Sequence, residues 1–178
     1  MRNFGVVRVY LIGYMGSGKS RTGGELAVKM DWRFTDMDDL FEEKYRITVL
    51  DFFEKYDENS FRNIERKLLH ETILEDNMII ATGGGTPCFF DNMDFINNNG
   101  TSIYLKPDIS LLVNRLRIVR KKRPLLKNVK LENLVDYIRQ QLAERELFYS
   151  KAHFTIEGSN ISAENIINLI KGKKSNEQ

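Results

Sequence analysis

Apolar positions along the chain alternate between two periods. Residues 6–13, VVRVYLIG, form a short β-branched run closed by glycine, the pattern of a strand buried within a sheet. SRTGGELAVKM (20–30) reads as a helix and WRFTDMD (32–38) as a second strand. From Asp39 to Glu75 the spacing is helical, broken near KYRIT and KYDENS. In its last piece Phe61, Ile64, Leu68 and Leu69 share one face. MIIATGGG (78–85) is a third strand that runs into glycines, TSIYLK (101–106) a fourth and HFTIEG (153–158) a fifth. A helix is expected from near Asp108. Another, with Leu131, Leu134, Val135, Ile138 and Leu142 on its apolar stripe, precedes the fifth strand. A last one is capped by Ser162 and ended by Gly172. Strands alternating with helices predict an α/β fold, with a parallel sheet covered on both faces. Ligands of such sheets sit beyond the carboxyl ends of the strands. Three of the strands end in unusual residues, GYMGSGKS, DMD and TGGG, and all three ends converge on one rim.

Composition narrows this little. The 178 residues suit one domain, with no repeat, linker or low-complexity segment. A net charge of +2 does not argue for a nucleic-acid partner. The single cysteine, Cys88, cannot form an intramolecular disulfide, which points to a reducing compartment and a structural thiol. Arg8 interrupts the only apolar run near the start, and no run approaches the roughly 18 residues that span a bilayer. A cytoplasmic protein without membrane or nucleic-acid partners is expected, with KKSNEQ (173–178) as a disordered tail.

The chemistry begins at Gly13. Gly13, four residues, then Gly18, Lys19 and Ser20 match G-x-x-x-x-G-K-[ST], with a strand before and a helix after. Glycines let consecutive backbone N–H groups turn inward around phosphate oxygens, and the following helix points its free N–H groups and positive dipole end at the same place. Lys19 is placed to reach the β and γ phosphates and the Ser20 hydroxyl to ligate Mg²⁺. This predicts a nucleotide and leaves open what is done with it.

The other signals are weaker singly. Asp36 and Asp38, two apart at the end of the second strand, would project to one side, one serving Mg²⁺ and the other a substrate hydroxyl. Acids capping a helix are the alternative. Arg62 and Glu65 lie one helical turn apart, as an oriented guanidinium or a surface ion pair. Gly83, Gly84 and Gly85 end a strand where only backbone can approach a ligand closely. RKKRPLL (120–126) is a nucleic-acid patch, a solvated face, or a mobile lid that brings an arginine onto phosphates. Arg145 has Tyr149 one turn later. His70 and His153 match no metal or triad spacing.

Taken in order, the P-loop, D-x-D, F-R-x-x-E, G-G-G, R-P-L-L and R-x-x-x-Y resemble the shikimate kinase family over residues 6 to about 158. The resemblance implies transfer of the γ-phosphoryl of ATP to the 3-hydroxyl of shikimate, on the route to chorismate and aromatic amino acids. It also implies a three-layer P-loop fold with strand order 2-3-1-4-5. Residues 1–172 would form one domain, with a substrate-binding insert at about 37–62 and a lid at about 115–130; a monomer is expected. ATP would lie on Gly16, Ser17, Gly18, Lys19, Ser20 and Arg21. Asp36 would join Ser20 at Mg²⁺, and Asp38 would meet the shikimate hydroxyls. Arg62, held by Glu65, and Arg145 would bind the carboxylate, Gly83 to Gly85 would wall the pocket, and Phe53 and Phe61 would form its apolar side. Arg123 would be the lid arginine on the ATP phosphates, while Arg115, Arg117 and Arg120 compete for the adenine side. Arg21 departs from the family's threonine and Leu147 from its proline. Another small-molecule kinase of the same fold, for gluconate or a nucleotide, or a P-loop protein without a small substrate, are the other readings.

Overall fold

In the computed structural model, which describes residues 8–119 and 124–175, five parallel strands form one sheet in the order β2-β3-β1-β4-β5. The strands are β1 (Arg8–Ile12), β2 (Arg33–Asp36), β3 (Met78–Ala81), β4 (Thr101–Lys106) and β5 (Phe154–Glu157). Period two assigns their side chains to two cores. Tyr10 and Ile12 pack on one face with Phe41, Leu68 and Ile138; Val9 and Leu11 pack on the other with Leu26, Ile79 and Ile166. With helices on both faces, a central strand such as β1 is apolar at nearly every position rather than at every second one.

The helices are α1 (Lys19–Met30), α2 (Met37–Tyr45), α3 (Val49–Lys55), α4 (Glu58–Glu71), α5 (Asn92–Asn99), α6 (Ile109–Val119), α7 (Leu134–Tyr149) and α8 (Ala163–Ser175). The two breaks read in 39–75 are the α2–α3 and α3–α4 junctions. Arg46, in the left-handed conformation, ends α2, while Thr48 and Asp57 cap α3 and α4. Ser162 caps α8 through the Asn165 N–H, but Gly172 does not end it: the helix runs to Ser175. Residues 176–178 lie outside the described residues. Helix α5 has no counterpart in the sequence reading. NMDFINNN is poor in helix formers, and only Met93 and Ile96 of its apolar residues are fully buried.

Register aligns the functional edge. Leu11 pairs with Ala81, and Ala81 with Asp36. The loops that leave β1, β2 and β3 therefore start side by side. The Thr82 N–H and hydroxyl both donate to the Leu11 carbonyl, tying the glycine segment to the loop after β1.

Candidate functional site

The loop between β1 and α1 is built on glycine geometry. Gly16 and Gly18 have φ of +79° and +100°, and a Cβ on Gly13 would stand 2.6 Å from the Leu105 carbonyl oxygen. Side chains at these positions would strain the loop or collide with β4. The buried Lys19 ammonium donates to the carbonyls of Gly13 (2.8 Å) and Tyr14 (3.0 Å). Gly16 to Arg21 line a cleft of about 680 Å³. Arg21 is exposed and paired with Glu25 at 2.9 Å, one turn on. Of the three arginines considered for the adenine side, Arg115 lines this cleft and donates to the Gly16 carbonyl at 2.8 Å; Arg117 is exposed and does not line it. Arg120 and the expected lid arginine, Arg123, lie outside the described residues.

The two aspartates are not neighbours on a strand. β2 stops at Asp36, whose carboxylate accepts from the Asp38 N–H at 2.9 Å and so caps α2; Asp38 lies in the first helical turn. Capping by Asp36 and its place at the cleft turn out to be the same fact. The Ser20 hydroxyl donates to its other oxygen, and both aspartates line the cleft. No cluster of three His, Cys, Asp or Glu side chains able to hold a metal occurs among the described residues. One hydroxyl and one carboxylate still fit Mg²⁺, which keeps several waters and takes most of its oxygens from phosphates.

Beyond Asp38 the cleft continues into a second pocket lined by Met15, Phe53, Phe61, Arg62, Gly85 and Arg145, among others. Asp38 and Gly84 line both spaces. Arg62 is 4% exposed. Its Nη1 donates to Glu65 at 2.6 Å, and its Nε and Nη2 donate to one oxygen of Glu58 at 3.2 and 3.0 Å. Its Cζ lies 4.3 Å from the Phe89 ring centroid. The pair is thus no surface ion pair: Glu65 is also 4% exposed, and its second oxygen accepts from the buried Thr86 hydroxyl at 2.6 Å. The guanidinium has five N–H groups, and three of them are in these bonds, so among the described residues two are left for a ligand. Phe53 and Phe61 pack at 4.7 Å between centroids on the apolar side.

Arg145 reaches the same pocket from α7. Its Nη1 donates to the Gly84 carbonyl at 3.2 Å and its Nη2 to Gln141 at 3.0 Å. Tyr149 donates to the same Gly84 carbonyl, so it steadies the arginine through a shared acceptor. Burial pushes the Tyr149 phenol up, against the pull of Arg145. Gly83 and Gly85 leave room for the Arg62–Glu65 pair. A Cβ on Gly85 would stand 2.5 Å from Arg62 Nη2, on Gly84 3.5 Å from Arg145 Nη1, and on Gly83 2.5 Å from the Glu65 carboxylate. Leu147 is 72% exposed, on the outside of α7, so its departure from the family's proline leaves Arg145 in place. Cys88 is half-buried beside these groups, and burial pushes its thiol up to about 11.

Glu58, Thr86, Phe89 and Gln141 escaped the sequence reading. Glu58 and Gln141 were within its reach, since each stands four residues before the arginine it holds. Thr86 and Phe89 meet Glu65 and Arg62 only through the fold.

Known proteins resemble the chain over most of its length. The shikimate kinase family model matches residues 15–173. A shikimate kinase of Phocaeicola vulgatus is 44% identical over 147 residues, 83% of this chain and 84% of that protein. One from Parabacteroides distasonis is 41% identical over 163 residues, 92% and 94% of the two chains. Among solved structures, the shikimate kinase of Bacteroides thetaiotaomicron superposes with a TM-score of 0.84 at 36% identity, covering 96% of this chain and 99% of that one. The Acinetobacter baumannii enzyme in complex with shikimate gives 0.88 at 32% identity, with 97% of each chain covered. A family model that spans nearly the whole chain, relatives this close over most of their length, and the strand order found here together place the chain in the shikimate kinase family.

Proposed function

We propose that the chain transfers the γ-phosphoryl group of ATP to the 3-hydroxyl of shikimate, giving shikimate 3-phosphate for chorismate and aromatic amino acid synthesis. One observation carries the assignment of parts. Asp38 lines both the cleft of Lys19 and Ser20 and the pocket of Arg62 and Arg145. A hydroxyl beside Asp38 faces the glycine loop, while a carboxylate on the same ring can face the arginines.

In this reading the N–H groups of Gly16 to Arg21 cradle the phosphates. Lys19 sets a positive charge against the group in transfer. Asp38 orients the 3-hydroxyl and accepts its proton at a carboxylate oxygen. Arg62 and Arg145 bind the shikimate carboxylate, Arg62 in the orientation fixed by Glu58 and Glu65. Ser20 and Asp36 would hold Mg²⁺, which neutralises phosphate charge when bound. Arg123, with the segment at about 115–130, is assigned to the lid, and residues 37–62 to the substrate-binding insert. Arg115 is assigned to the nucleotide side. Among the described residues no helix is long and apolar enough to cross a membrane; a cytoplasmic location and a monomeric state belong to the proposal, and size-exclusion chromatography with light scattering checks the oligomeric state.

ADP release is measured with shikimate, gluconate, nucleoside monophosphates and a shikimate analogue whose carboxylate is reduced to the alcohol. Turnover with shikimate alone is expected. Equal use of the alcohol would remove the role given to both arginines, and turnover with gluconate or a nucleotide instead would overturn the substrate.

A further inference from the structure

The two arginines of the acid pocket are held in different ways. Arg62 is clamped by two carboxylates, Glu58 and Glu65. Arg145 is 9% exposed, and among the described residues it has no carboxylate partner; it donates to a carbonyl and an amide oxygen, and the Tyr149 phenol also bears on it. A buried cation needs compensation beyond two neutral acceptors. Besides Tyr149, one turn on, the aromatic group set against it is Tyr14, the second residue of the nucleotide loop. Arg145 Cζ lies 5.1 Å from the centroid of its ring.

Tyr14 is 1% exposed, and its hydroxyl has no hydrogen-bond partner among the described residues. Burial drives its phenol up to about 12. A buried, unpartnered hydroxyl is a liability compared with an apolar group of the same shape, so the useful part of the side chain is the ring. An aromatic face attracts a guanidinium through its quadrupole, most strongly where water is excluded. It also uses up none of the N–H groups, whereas a carboxylate would occupy the donors a substrate needs.

We propose that Tyr14 is a positioning residue for Arg145: its ring face holds the guanidinium in the pocket while leaving N–H groups for the substrate carboxylate. The same residue belongs to the nucleotide loop, where its carbonyl accepts from Lys19 at 3.0 Å. One residue therefore touches both halves of the site, its main chain the nucleotide loop and its ring Arg145. The inference rests on the proposed role of Arg145 at the carboxylate.

The test compares Tyr14→Leu, which keeps bulk without a π face, with Tyr14→Phe, which keeps the ring and drops only the orphan hydroxyl. Tyr14→Leu is expected to raise the KM for shikimate about three- to tenfold, with kcat and the KM for ATP near wild type. Tyr14→Phe should match wild type in both constants and melt no lower. In an Arg145→Ala background, Tyr14→Leu should have no further effect on the shikimate KM, because its target is gone. Should Tyr14→Leu fail to fold, Tyr14→Met serves in its place. An unchanged shikimate KM, a parallel rise in both KM values, a Phe variant as poor as Leu, or the same effect without Arg145 would each overturn the proposal. The alcohol analogue separates this from failure of the underlying reading: if wild type does not discriminate against the alcohol, the role of Arg145 itself is wrong.

Discussion

Gly85→Ala adds one methyl group and nothing else. Gly85 has φ −93° and ψ −19°, a conformation open to any L-residue, so the backbone is not strained. The new carbon would stand 2.5 Å from Nη2, 2.7 Å from Cζ and 2.8 Å from Nη1 of Arg62. A surface arginine would step aside at little cost. Arg62 is 4% exposed, bonded to Glu58 and Glu65, and lies 4.3 Å from the Phe89 ring centroid. Forcing a group into a filled site costs about 1–3 kcal/mol. Where that strain appears as a displaced guanidinium, the substrate carboxylate loses comparable binding, roughly 5- to 150-fold in the shikimate KM. Gly85 does not line the nucleotide cleft, so the KM for ATP should stay near wild type. Initial rates of ADP release, with each substrate varied at saturating levels of the other, give both constants, and a thermal melt shows that the variant is folded. A folded variant with an unchanged shikimate KM, or with both constants raised together, would refute the reasoning.

Lys19→Met should leave less than about a tenth of wild-type kcat, a loss above roughly 1.4 kcal/mol, in a protein whose melting curve stays cooperative; retained activity would remove Lys19 from the transition state. Asp38→Asn should lower kcat by about 10²–10⁴-fold with little change in ATP affinity by calorimetry, and an equal loss of affinity would point to a metal or folding role instead. The Cys88 thiol, pushed up to about 11 by burial, is almost wholly protonated at pH 8. Iodoacetamide should then label the native protein about a hundredfold more slowly than the unfolded chain, with labelling of native protein rising as pH approaches 11. Equal rates at pH 8 would show an accessible thiolate.

The glycine loop was legible because its chemistry is local: spacing alone puts Lys19 and Ser20 after a turn between strand and helix. Strand order and site partners were not local and came through resemblance. Nothing in spacing brings Arg145 to Arg62 across 83 positions; α7, crossing back over the pocket, does. Asp36 and Asp38 were read on a strand because WRFTDMD looks extended, yet the capping preference of Asp36 won and turned the chain into a helix two residues sooner. Phe89 was hidden since it meets Arg62 only through the loop after the glycines. Helix α5 was missed because tertiary burial of Met93 and Ile96 outweighs a run of poor helix formers.

The central claim is that Asp38, between the two cavities, brings one shikimate hydroxyl to the γ-phosphoryl group. Phosphorus NMR of a reaction containing the purified protein, ATP, Mg²⁺ and shikimate reads this directly. The account predicts ADP and a single new phosphate monoester, coupled to the proton at carbon 3, formed in equal amounts. ADP with inorganic phosphate and no ester, or an ester at another hydroxyl, would contradict it.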